Sequence, residues 1–529
     1  MIEIEIEIGM EMEMEKMKKI EIEILLPNAE TEKKITCFPG ETVYDVLLRS
    51  DLAPSSYCGG KGTCGKCKVH WVQAGKDVLA CQLPVSDGMI IENKSPGDVQ
   101  ALSTSIHKTF TLEPLVGEGS GYGIAVDIGT TTMVGYLLNL RNGQEMAVAS
   151  LANPQRAYGA DVISRIAYTQ SHPEGVQRLQ EVLVAALNSM ITTLCEQAQV
   201  DKADVLALTT AGNTVMLHTL LGVNAVSIAN APFEPVFSDQ KVLAAQDLGI
   251  EIGSQGKVFV LPSVSGYVGA DILAGLLVCD LDHQDSYGLL IDIGTNGEIV
   301  LGNEGKILAC STAAGPAFEG ANISSGMAGI WGALSSFRIQ EEAGIYETIG
   351  GIRPVGICGS GLIDIMAELL KHGFVDASGA FAVPSTLAKW KQDMLTTEGG
   401  MPAFLVTEEI LFTQKDVREV QLAKGALRAG ILTLLKEAGI EAEQIGQVYL
   451  AGGFGNFVDV HHACAMGLIP LELEERVTKI GNGAGLGAKL SLLDQSQLVR
   501  CTELKQRIQY IELSTRADFQ ELFMEAMFF

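Results

Sequence analysis

The chain has 529 residues and carries 64 Asp and Glu against 37 Lys and Arg, for a formal net charge of −27. At about 100–200 residues per domain its length predicts roughly three or four folding units. The acidic balance disfavours a nucleic-acid-binding protein, which needs clustered Lys and Arg to neutralise phosphates. Its apolar stretches fall short of the roughly 20 residues of a membrane span, and the N-terminus carries Glu where a signal peptide carries Lys or Arg. We therefore expect a cytoplasmic protein without a membrane partner.

Residues 1–19 alternate Glu with Ile or Met, and we interpret them as a low-complexity acidic extension without an assigned function. Residues 20–95 have the pattern of a small domain. IEIEILL and KKITCF, on either side of Pro27–Asn28, predict a β-hairpin, and Thr42 is placed to begin a short helix. The run KVHWVQAGKDVLAC predicts a second hairpin that turns near Ala74–Gly75.

The motif CGGKGTCGKC holds three of the 11 cysteines, and the second hairpin returns the chain to a fourth in LAC. Zinc sites usually show two CxxC pairs, and only one is present. The spacing is close to the plant-type ferredoxin run C-x4-C-x2-C with a distant fourth Cys. Structural zinc is the alternative to a 2Fe–2S cluster, and the other cysteines, scattered singly, are expected to be buried thiols. The predicted cluster ligands are Cys58, Cys64, Cys67 and Cys81.

The remainder of the chain is divided by composition. Residues 96–120, ending in GEGSG, are expected to form a linker. After it, short apolar strands alternate with Gly-rich turns and helical segments such as 176–198 and 417–437, which predicts α/β architecture. We divide this part into a first lobe, 121–285, and a second lobe, 286–529.

An internal repeat is the strongest organisational signal in these lobes. GIAVDIGTTTMVGYL and GLLIDIGTNGEIVLG share the tetrapeptide Asp-Ile-Gly-Thr, beginning at Asp127 and at Asp292. Each copy predicts a buried strand, a tight turn with hydroxyl residues, and a second strand. A single Asp-x-Gly turn is common in hairpins, but two copies in the same register predict a duplicated fold with a site between its halves.

The DIGT turns carry the chemistry of a phosphate site. Backbone N–H groups and Thr hydroxyls donate to phosphate oxygens, glycine permits close approach, and Asp127 and Asp292 are placed to hold Mg²⁺, with Glu298 as a further carboxylate. The predicted nucleotide-binding residues are Gly129, Thr130, Thr131 and Thr132 in the first copy, and Gly294, Thr295, Asn296 and Gly297 in the second.

These turns are not a Walker loop, because GxxxxGK[ST] does not occur. The pair resembles the phosphate loops of the superfamily of acetate kinase, sugar kinases, actin and heat-shock chaperone ATPases. That resemblance implies duplicated ribonuclease-H-like α/β lobes, and QVYLAGGFGNF then supplies an adenosine loop through Gly452, Gly453 and Gly455. The later GNGAGLG run fits ligand contact and helix–strand packing equally well.

Several polar residues have a structural and a functional interpretation. Asn213 precedes an apolar helical run, so it is either a helix cap or a ligand contact. Asp271 lies at a predicted helix start, where it either complements the helix dipole or acts catalytically by orienting the attacking water. Glu319, in a Gly-rich loop, is a comparable candidate. His218 and the pair His461–His462 are expected to be structural.

The whole pattern from about Ile20 resembles the reductive activators of corrinoid proteins, through CGGKGTCGKC, DIGTTT, DIGTNGE, NPQRAYGADVISRI, AGNTVMLHTLLG and AGGFGNF. The resemblance implies a β-grasp 2Fe–2S ferredoxin-like domain joined to an actin-like ATPase. It implies an enzyme that uses ATP, Mg²⁺ and a low-potential electron donor to return a corrinoid methyl-carrier protein from Co(II) to Co(I). The sequence leaves the oligomeric state open, a homodimer included.

Two other functions fit the same two halves. A small-molecule kinase with a redox-sensing ferredoxin domain would transfer phosphate to a metabolite. A ferredoxin-type electron carrier with an ATPase switch would assemble in response to nucleotide without reducing a corrinoid. The activators of 2-hydroxyacyl-CoA dehydratases also join this ATPase fold to iron–sulfur chemistry, but without a separate ferredoxin domain.

Overall fold

A computed structural model describes residues 20–25, 32–38, 40–50, 52, 67–92, 111–116, 120–452 and 457–529. The chain divides into two compact units, residues 1–97 with 154–175, and residues 98–153 with 176–529. The predicted extension 1–19 and most of the predicted linker lie outside the described residues. Within the described ranges, no helix combines the length and the apolar character needed to cross a bilayer.

The first unit is built on a five-stranded mixed sheet. In chain order its strands β1 to β5 begin at Ile20, Glu32, Lys68, Lys76 and Met89, and their order in the sheet is β2-β1-β5-β3-β4. β1 pairs antiparallel with β2 and parallel with β5, and β3 pairs antiparallel with β4. Both predicted hairpin pairings are therefore confirmed. The strands are β1 Ile20–Leu25, β2 Glu32–Cys37, β3 Lys68–Trp71, β4 Lys76–Leu79 and β5 Met89–Glu92.

One helix, α1 (Val43–Arg49), covers this sheet. Thr42 caps it, accepting from the backbone N–H of Asp45, whose side chain accepts from Thr42 in return. This reciprocal capping box satisfies N–H groups that the first turn leaves unpaired. Val46 and Leu47 are fully buried and join the apolar residues of β1 and β5 in one core. The helix, its cap and its buried face are as the sequence predicts, and the sheet-and-helix arrangement is that of a β-grasp domain.

Residues 154–175 also belong to the first unit, and they contain α2 (Val162–Ser171). The Tyr44 hydroxyl of α1 donates to the carbonyl oxygen of Ala157 at 2.5 Å. Arg165, only 1% exposed, donates to the carbonyl oxygen of Gly159 at 2.9 Å. The segment falls within the predicted first lobe, 121–285, yet packs with the N-terminal residues, and the proposed domain boundaries remain a prediction.

The second unit contains two six-stranded sheets, β10-β11-β9-β6-β7-β8 and β22-β21-β12-β13-β14-β23. The strands of the first are β6 Tyr122–Ile128, β7 Thr132–Asn139, β8 Glu145–Ala152, β9 Val205–Gly212, β10 Lys241–Ala244 and β11 Lys257–Val260. The strands of the second are β12 Tyr287–Ile293, β13 Gly297–Gly302, β14 Ile307–Thr312, β21 Ile445–Ala451, β22 Val477–Gly481 and β23 Ile508–Tyr510.

The two sheets share one topology. In each, an antiparallel meander of three strands is extended by two strands parallel to the first, giving β8-β7-β6-β9-β11 and β14-β13-β12-β21-β22. The central strands YGIAVDI and YGLLIDI have the same burial pattern, with a continuous apolar run. Such runs are typical of strands covered on both faces. The predicted duplication is confirmed, and the DIGT turns occupy equivalent places.

Helices cover both sheets. The predicted helical segments 176–198 and 417–437 lie in α3 (Gly175–Ala198) and α8 (Gln414–Ala438). A β-carbon at Gly487 of α10 would lie 2.0 Å from the carbonyl oxygen of Ala274 of α5, so only glycine permits this close helix packing. The helices are α3 Gly175–Ala198, α4 Thr214–Leu220, α5 Ala270–Cys279, α6 Gly359–Lys371, α7 Lys389–Asp393, α8 Gln414–Ala438, α9 Val460–Ala465, α10 Gly483–Leu493, α11 Gln495–Arg507 and α12 Ala517–Ala526.

The second lobe carries an insertion between β14 and α8. It contains two three-stranded sheets, β16-β15-β17 and β18-β19-β20. Apolar residues of both sheets join those of α6, α8 and the second large sheet in one core. The inserted strands are β15 Ala333–Gln340, β16 Ala343–Thr348, β17 Gly356–Ile357, β18 Leu395–Glu398, β19 Met401–Leu405 and β20 Leu411–Thr413.

Candidate functional sites

Two of the four predicted cluster cysteines lie at the two ends of the β3–β4 hairpin. Cys67 directly precedes β3, and Cys81 lies in the turn after β4. Their sulfurs are 3.2 Å apart, and the backbone N–H of Ala80 donates to the carbonyl oxygen of Cys67 at 2.8 Å. Cys58 and Cys64 lie outside the described residues. A converging pair of thiols fits two ligands of one metal centre, and an all-thiolate donor set suits an iron–sulfur cluster.

The singly placed cysteines are structural, as predicted. All of them are buried, and burial raises the pKa of the Cys501 thiol to about 12. A thiol with so high a pKa stays protonated near neutral pH and is a poor metal ligand. These buried cysteines are Cys37, Cys195, Cys279, Cys310, Cys358, Cys464 and Cys501.

The first DIGT turn joins β6 to β7 and is shaped by its glycine. A β-carbon at Gly129 would lie 2.3 Å from the carbonyl oxygen of Thr132. The side-chain amide of Asn153, at the end of β8, donates to the carbonyl oxygen of Gly129 at 2.8 Å. The backbone N–H of Asn153 donates to the carbonyl oxygen of Thr131, also at 2.8 Å. Asn153 therefore fixes the backbone of the turn, a role that was not predicted from the sequence.

Asn213 serves the same turn from the end of β9. Its side-chain oxygen accepts from the backbone N–H of Met216 at 3.0 Å, which makes it the cap of α4. Its amide donates to the Thr130 hydroxyl at 2.8 Å. The capping interpretation is confirmed, and the same side chain also orients one of the predicted phosphate donors.

The second DIGT turn joins β12 to β13. The backbone N–H of Gly294 donates to the carbonyl oxygen of Asn296 at 3.0 Å, and the space beside Gly294 is open, with its nearest neighbour 3.7 Å from a β-carbon built there. Gly297 differs, because a β-carbon there would lie 2.2 Å from the Leu427 side chain of α8. Gly297 therefore allows close packing of the strand against that helix.

Equivalent glycines lie at the ends of β9 and β21, the strands that pair parallel with the two DIGT strands. Gly212 and Gly452 have φ of +156° and +112°, and β-carbons there would lie 2.7 Å and 2.3 Å from the carbonyl oxygens of Ile128 and Ile293. In both lobes this glycine thus lets the chain turn over the DIGT strand. Gly452 begins the predicted adenosine loop, and Gly453 and Gly455 lie outside the described residues.

Glu319 connects the two turns. It ends a short 3₁₀ turn, Pro316–Glu319, which follows β14. Its Oε2 atom accepts from the Thr131 hydroxyl at 3.1 Å and from the Thr295 hydroxyl at 2.7 Å. One carboxylate oxygen thus joins the corresponding threonines of the two repeats.

A cluster of four carboxylates lies beside these turns. Burial, together with the charges of Asp271 and Asp292, raises the pKa of Asp127 to about 8. Burial and Asp271 raise the pKa of Asp292 to about 7, and burial raises the pKa of Asp271 to about 6. The pKa of Glu298 is also raised, by burial and by the charges of Asp271 and Asp292. Repulsion of this kind is relieved by a divalent cation, and carboxylate oxygens are the ligands that Mg²⁺ prefers.

Asp271 lies in the first turn of α5, as predicted, and its Oδ1 accepts from the backbone N–H of Ile272 at 2.9 Å. Its effect on the pKa of Asp127 and Asp292 places it within the carboxylate cluster. The structure therefore brings Asp271 together with the two repeat aspartates.

The GNGAGLG run packs closely against another helix, and ligand contact by this run remains a prediction. Asn482 caps α10, accepting from the backbone N–H of Gly485 at 2.7 Å, while Gly487 packs against α5. The Asn482 side chain also hydrogen-bonds Asp127, which lowers the pKa of that carboxyl against the larger effect of burial. The N-terminal cap of α10, which follows β22 of the second lobe, therefore reaches the DIGT aspartate of the first lobe.

The histidines have structural roles, as predicted. Buried His218 contacts the carbonyl oxygen of Thr214 at 2.7 Å and accepts from the backbone N–H of Val236 at 3.1 Å. His461 contacts Glu474 at 3.0 Å on the surface. His462 is buried in α9 and contacts Asp364 of α6 at 2.7 Å.

Three family models cover most of the chain. One described as "C-terminal domain of RACo the ASKHA domain" matches residues 286–529, and one described as "RACo middle region" matches residues 122–284. A model of the 2Fe-2S iron-sulfur cluster binding domain matches residues 28–86. A cluster-binding domain and two lobes of an actin-like ATPase define an ATP-dependent iron–sulfur protein.

Relatives extend over nearly the full length. The chain is 34% identical to the corrinoid activation enzyme RamQ of Eubacterium limosum, over 93% of this chain and 97% of that protein. It is 27% identical to a Co(II) methylated amine-specific corrinoid protein reductase of Methanosarcina barkeri, over 76% of each. A solved reductive activator for corrinoid, iron–sulfur protein superposes with a TM-score of 0.74 at 28% identity, covering 96% of this chain and 98% of that one. The chain belongs to the family of reductive activators of corrinoid proteins.

Proposed function

We propose that this protein reduces the Co(II) form of a corrinoid methyl-carrier protein to Co(I), using ATP and an electron passed through its 2Fe–2S domain. The observation that carries the proposal is the union, in one chain, of converging thiols at Cys67 and Cys81 with two DIGT turns joined through Glu319. Similarity to corrinoid activators over 93% of the chain supports the choice of partner. We place the reaction in the cytoplasm, with a low-potential donor reloading the iron–sulfur domain.

The redox half rests on four thiolates. When bound, a plant-type 2Fe–2S cluster supplies one-electron chemistry at roughly −400 mV. We propose Cys58, Cys64, Cys67 and Cys81 as its ligands. Cobalt(II)-to-cobalt(I) reduction is itself a low-potential step, so a second energy source is needed to make electron transfer favourable.

The ATPase half supplies that energy source. We propose that the hydroxyls of Thr130, Thr131 and Thr132 donate to phosphate oxygens from the first lobe. Gly294, Thr295 and Asn296 do so from the second lobe. Asp127 and Asp292 hold Mg²⁺ together with Asp271. The loop at Gly452, with Gly453 and Gly455, lies at the adenosine.

Because donors come from both lobes, nucleotide binding favours one relative arrangement of the lobes, and hydrolysis removes that preference.

The proposal is tested with iron-reconstituted full-length protein, Mg²⁺-ATP, a chemical reductant and Co(II) corrinoid proteins from several methyltransferase systems. We expect the visible spectrum of one of them to change to that of Co(I) only when ATP is present. Co(II) spectra that stay unchanged with every partner would overturn the proposal. ADP release that depends on a metabolite and needs no corrinoid protein would instead identify a small-molecule kinase.

A further inference from the structure

Glu319 is held on a rigid support. The residues before it, Ala317 and Phe318, are 2% and 1% exposed, which anchors the turn in the core. Gly320, directly after it, has φ of +81°, and a β-carbon there would lie 2.4 Å from the carbonyl oxygen of Met327. The position of the carboxylate is therefore set by the fold rather than by a flexible loop.

Its two threonine partners cannot serve two acceptors at once. Each hydroxyl has one hydrogen to donate, and in this structure both Thr131 and Thr295 donate theirs to Oε2 of Glu319. If the same hydroxyls donate to phosphate oxygens, both bonds to Glu319 must break. Phosphate binding then leaves the Glu319 carboxylate beside the phosphate, no longer bonded to these two threonines.

The remaining carboxylates are placed for a different task. Asp271 raises the pKa of Asp127 and of Asp292, and Asp292 raises that of Asp127, as expected of neighbouring carboxylates that share a cation. Asp271 also accepts from the backbone N–H of Ile272 of its own helix. Glu319 instead accepts from the hydroxyls of the two phosphate turns.

We propose that Glu319 is the catalytic carboxylate that orients the attacking water, and that Thr131 and Thr295 hold it in place until ATP arrives. This inference rests on the proposed nucleotide site. In the step, the water oxygen forms a bond to the γ-phosphorus, and the bond from that phosphorus to the β–γ bridging oxygen breaks. ADP leaves with the electron pair, and the proton of the water passes to the Glu319 carboxylate and then to solvent.

Glu319→Gln separates this role from a structural one. The amide keeps an oxygen that accepts from both threonines, so the fold and the contact between the turns are retained, but it cannot take the proton. We expect kcat for ATP hydrolysis to fall by about 100-fold or more, with the Kd for Mg²⁺-ATP within about threefold of the wild-type value. Glu304→Gln, which removes an exposed carboxylate of the same lobe, is the matched control and keeps kcat.

Hydrolysis at the wild-type rate by Glu319→Gln would overturn the inference, and so would loss of nucleotide affinity equal to the loss of rate, which would mark Glu319 as a structural tie. Asp271→Asn provides a second comparison. We expect it to raise the Mg²⁺ concentration needed for half-maximal hydrolysis, whereas Glu319→Gln leaves that concentration unchanged. Reduction of a corrinoid protein by the wild-type enzyme tests the proposed function separately. Failure of the role proposed for Glu319 is therefore distinguishable from failure of the proposed function.

Discussion

Asn153 donates its side-chain amide to the carbonyl oxygen of Gly129 at 2.8 Å and thereby fixes the turn that follows the central strand of the first lobe. Asn153 is 0% exposed. Because a half-buried carbonyl that loses its donor is costly, this amide stabilises the way in which the turn presents its N–H groups and hydroxyls to a phosphate.

Asn153→Ala is therefore expected to weaken Mg²⁺-ATP binding by about tenfold, and to lower the free energy of unfolding by about 1–3 kcal/mol. Isothermal titration and urea denaturation measure the two effects. Asn142→Ala, an exposed turn residue of the same lobe, is the control and leaves ATP affinity unchanged. A correctly folded Asn153→Ala protein with wild-type affinity would contradict the role given to this amide.

We expect the threonine hydroxyls to be required as hydrogen-bond donors and not only for the volume of the side chain. Thr295→Val keeps the volume but removes the hydroxyl that contacts Glu319 at 2.7 Å, so we expect ATP affinity to fall by about 10–100-fold. Thr295→Ser restores the donor and should lie within a few-fold of wild type. Wild-type affinity in Thr295→Val, or equal losses in the two variants, measured by nucleotide titration, would contradict a requirement for the hydroxyl as a donor.

Gly452 should not tolerate a side chain. Its φ is +112°, and a β-carbon would lie 2.3 Å from the carbonyl oxygen of Ile293. Gly452→Ala is expected to cost more than the roughly 1–2 kcal/mol of a left-handed residue alone, and to reduce nucleotide affinity.

Gly399→Ala is the matched control for this substitution, because its φ is +57° and nothing lies within 4 Å of a β-carbon there. It bears the conformational cost without the clash. Denaturation midpoints compare the two variants, and an equal loss of stability would remove the argument from close approach.

The carboxylate cluster should oppose folding when no cation is bound. Asp292→Asn removes one of the repelling charges, so the metal-free protein is expected to melt at a higher temperature, while ATP hydrolysis falls by about 100-fold or more. Asp239→Asn, at an exposed aspartate paired with Lys505, should give no such stabilisation. A lower melting temperature for metal-free Asp292→Asn would contradict the interpretation of this cluster as a cation site.

The described cysteine pair should be required for the cluster. Cys67→Ala and Cys81→Ala are each expected to lose the visible absorption and the electron paramagnetic resonance of a reconstituted 2Fe–2S centre. Cys37→Ala, which removes a buried thiol of the same unit, should retain both signals. A normal spectrum without Cys67 or Cys81 would place the cluster on other ligands.

The local features of this protein follow from its sequence, whereas its long-range contacts do not. Thr42 begins a helix because its side chain and that of Asp45 pair within one turn, and the DIGT repeats specify two identical strand–turn–strand units. Asn153 and Asn482 act on turns far away in the chain, and an isolated asparagine carries no periodic signal that would identify its partner. The contact of Asn153 depends on the pairing of β7 with β8, and that of Asn482 depends on the packing of the two lobes.

The central claim is that ATP drives an electron from the iron–sulfur domain to cobalt. Freeze-quench electron paramagnetic resonance tests it directly, because a reduced 2Fe–2S centre and Co(II) give separate signals. Pre-reduced protein is mixed with a cognate Co(II) corrinoid protein, with and without Mg²⁺-ATP. We predict that ATP makes both signals decay at the same rate and in equal amounts. A Co(II) signal that persists with ATP, or that decays equally without it, would contradict the account.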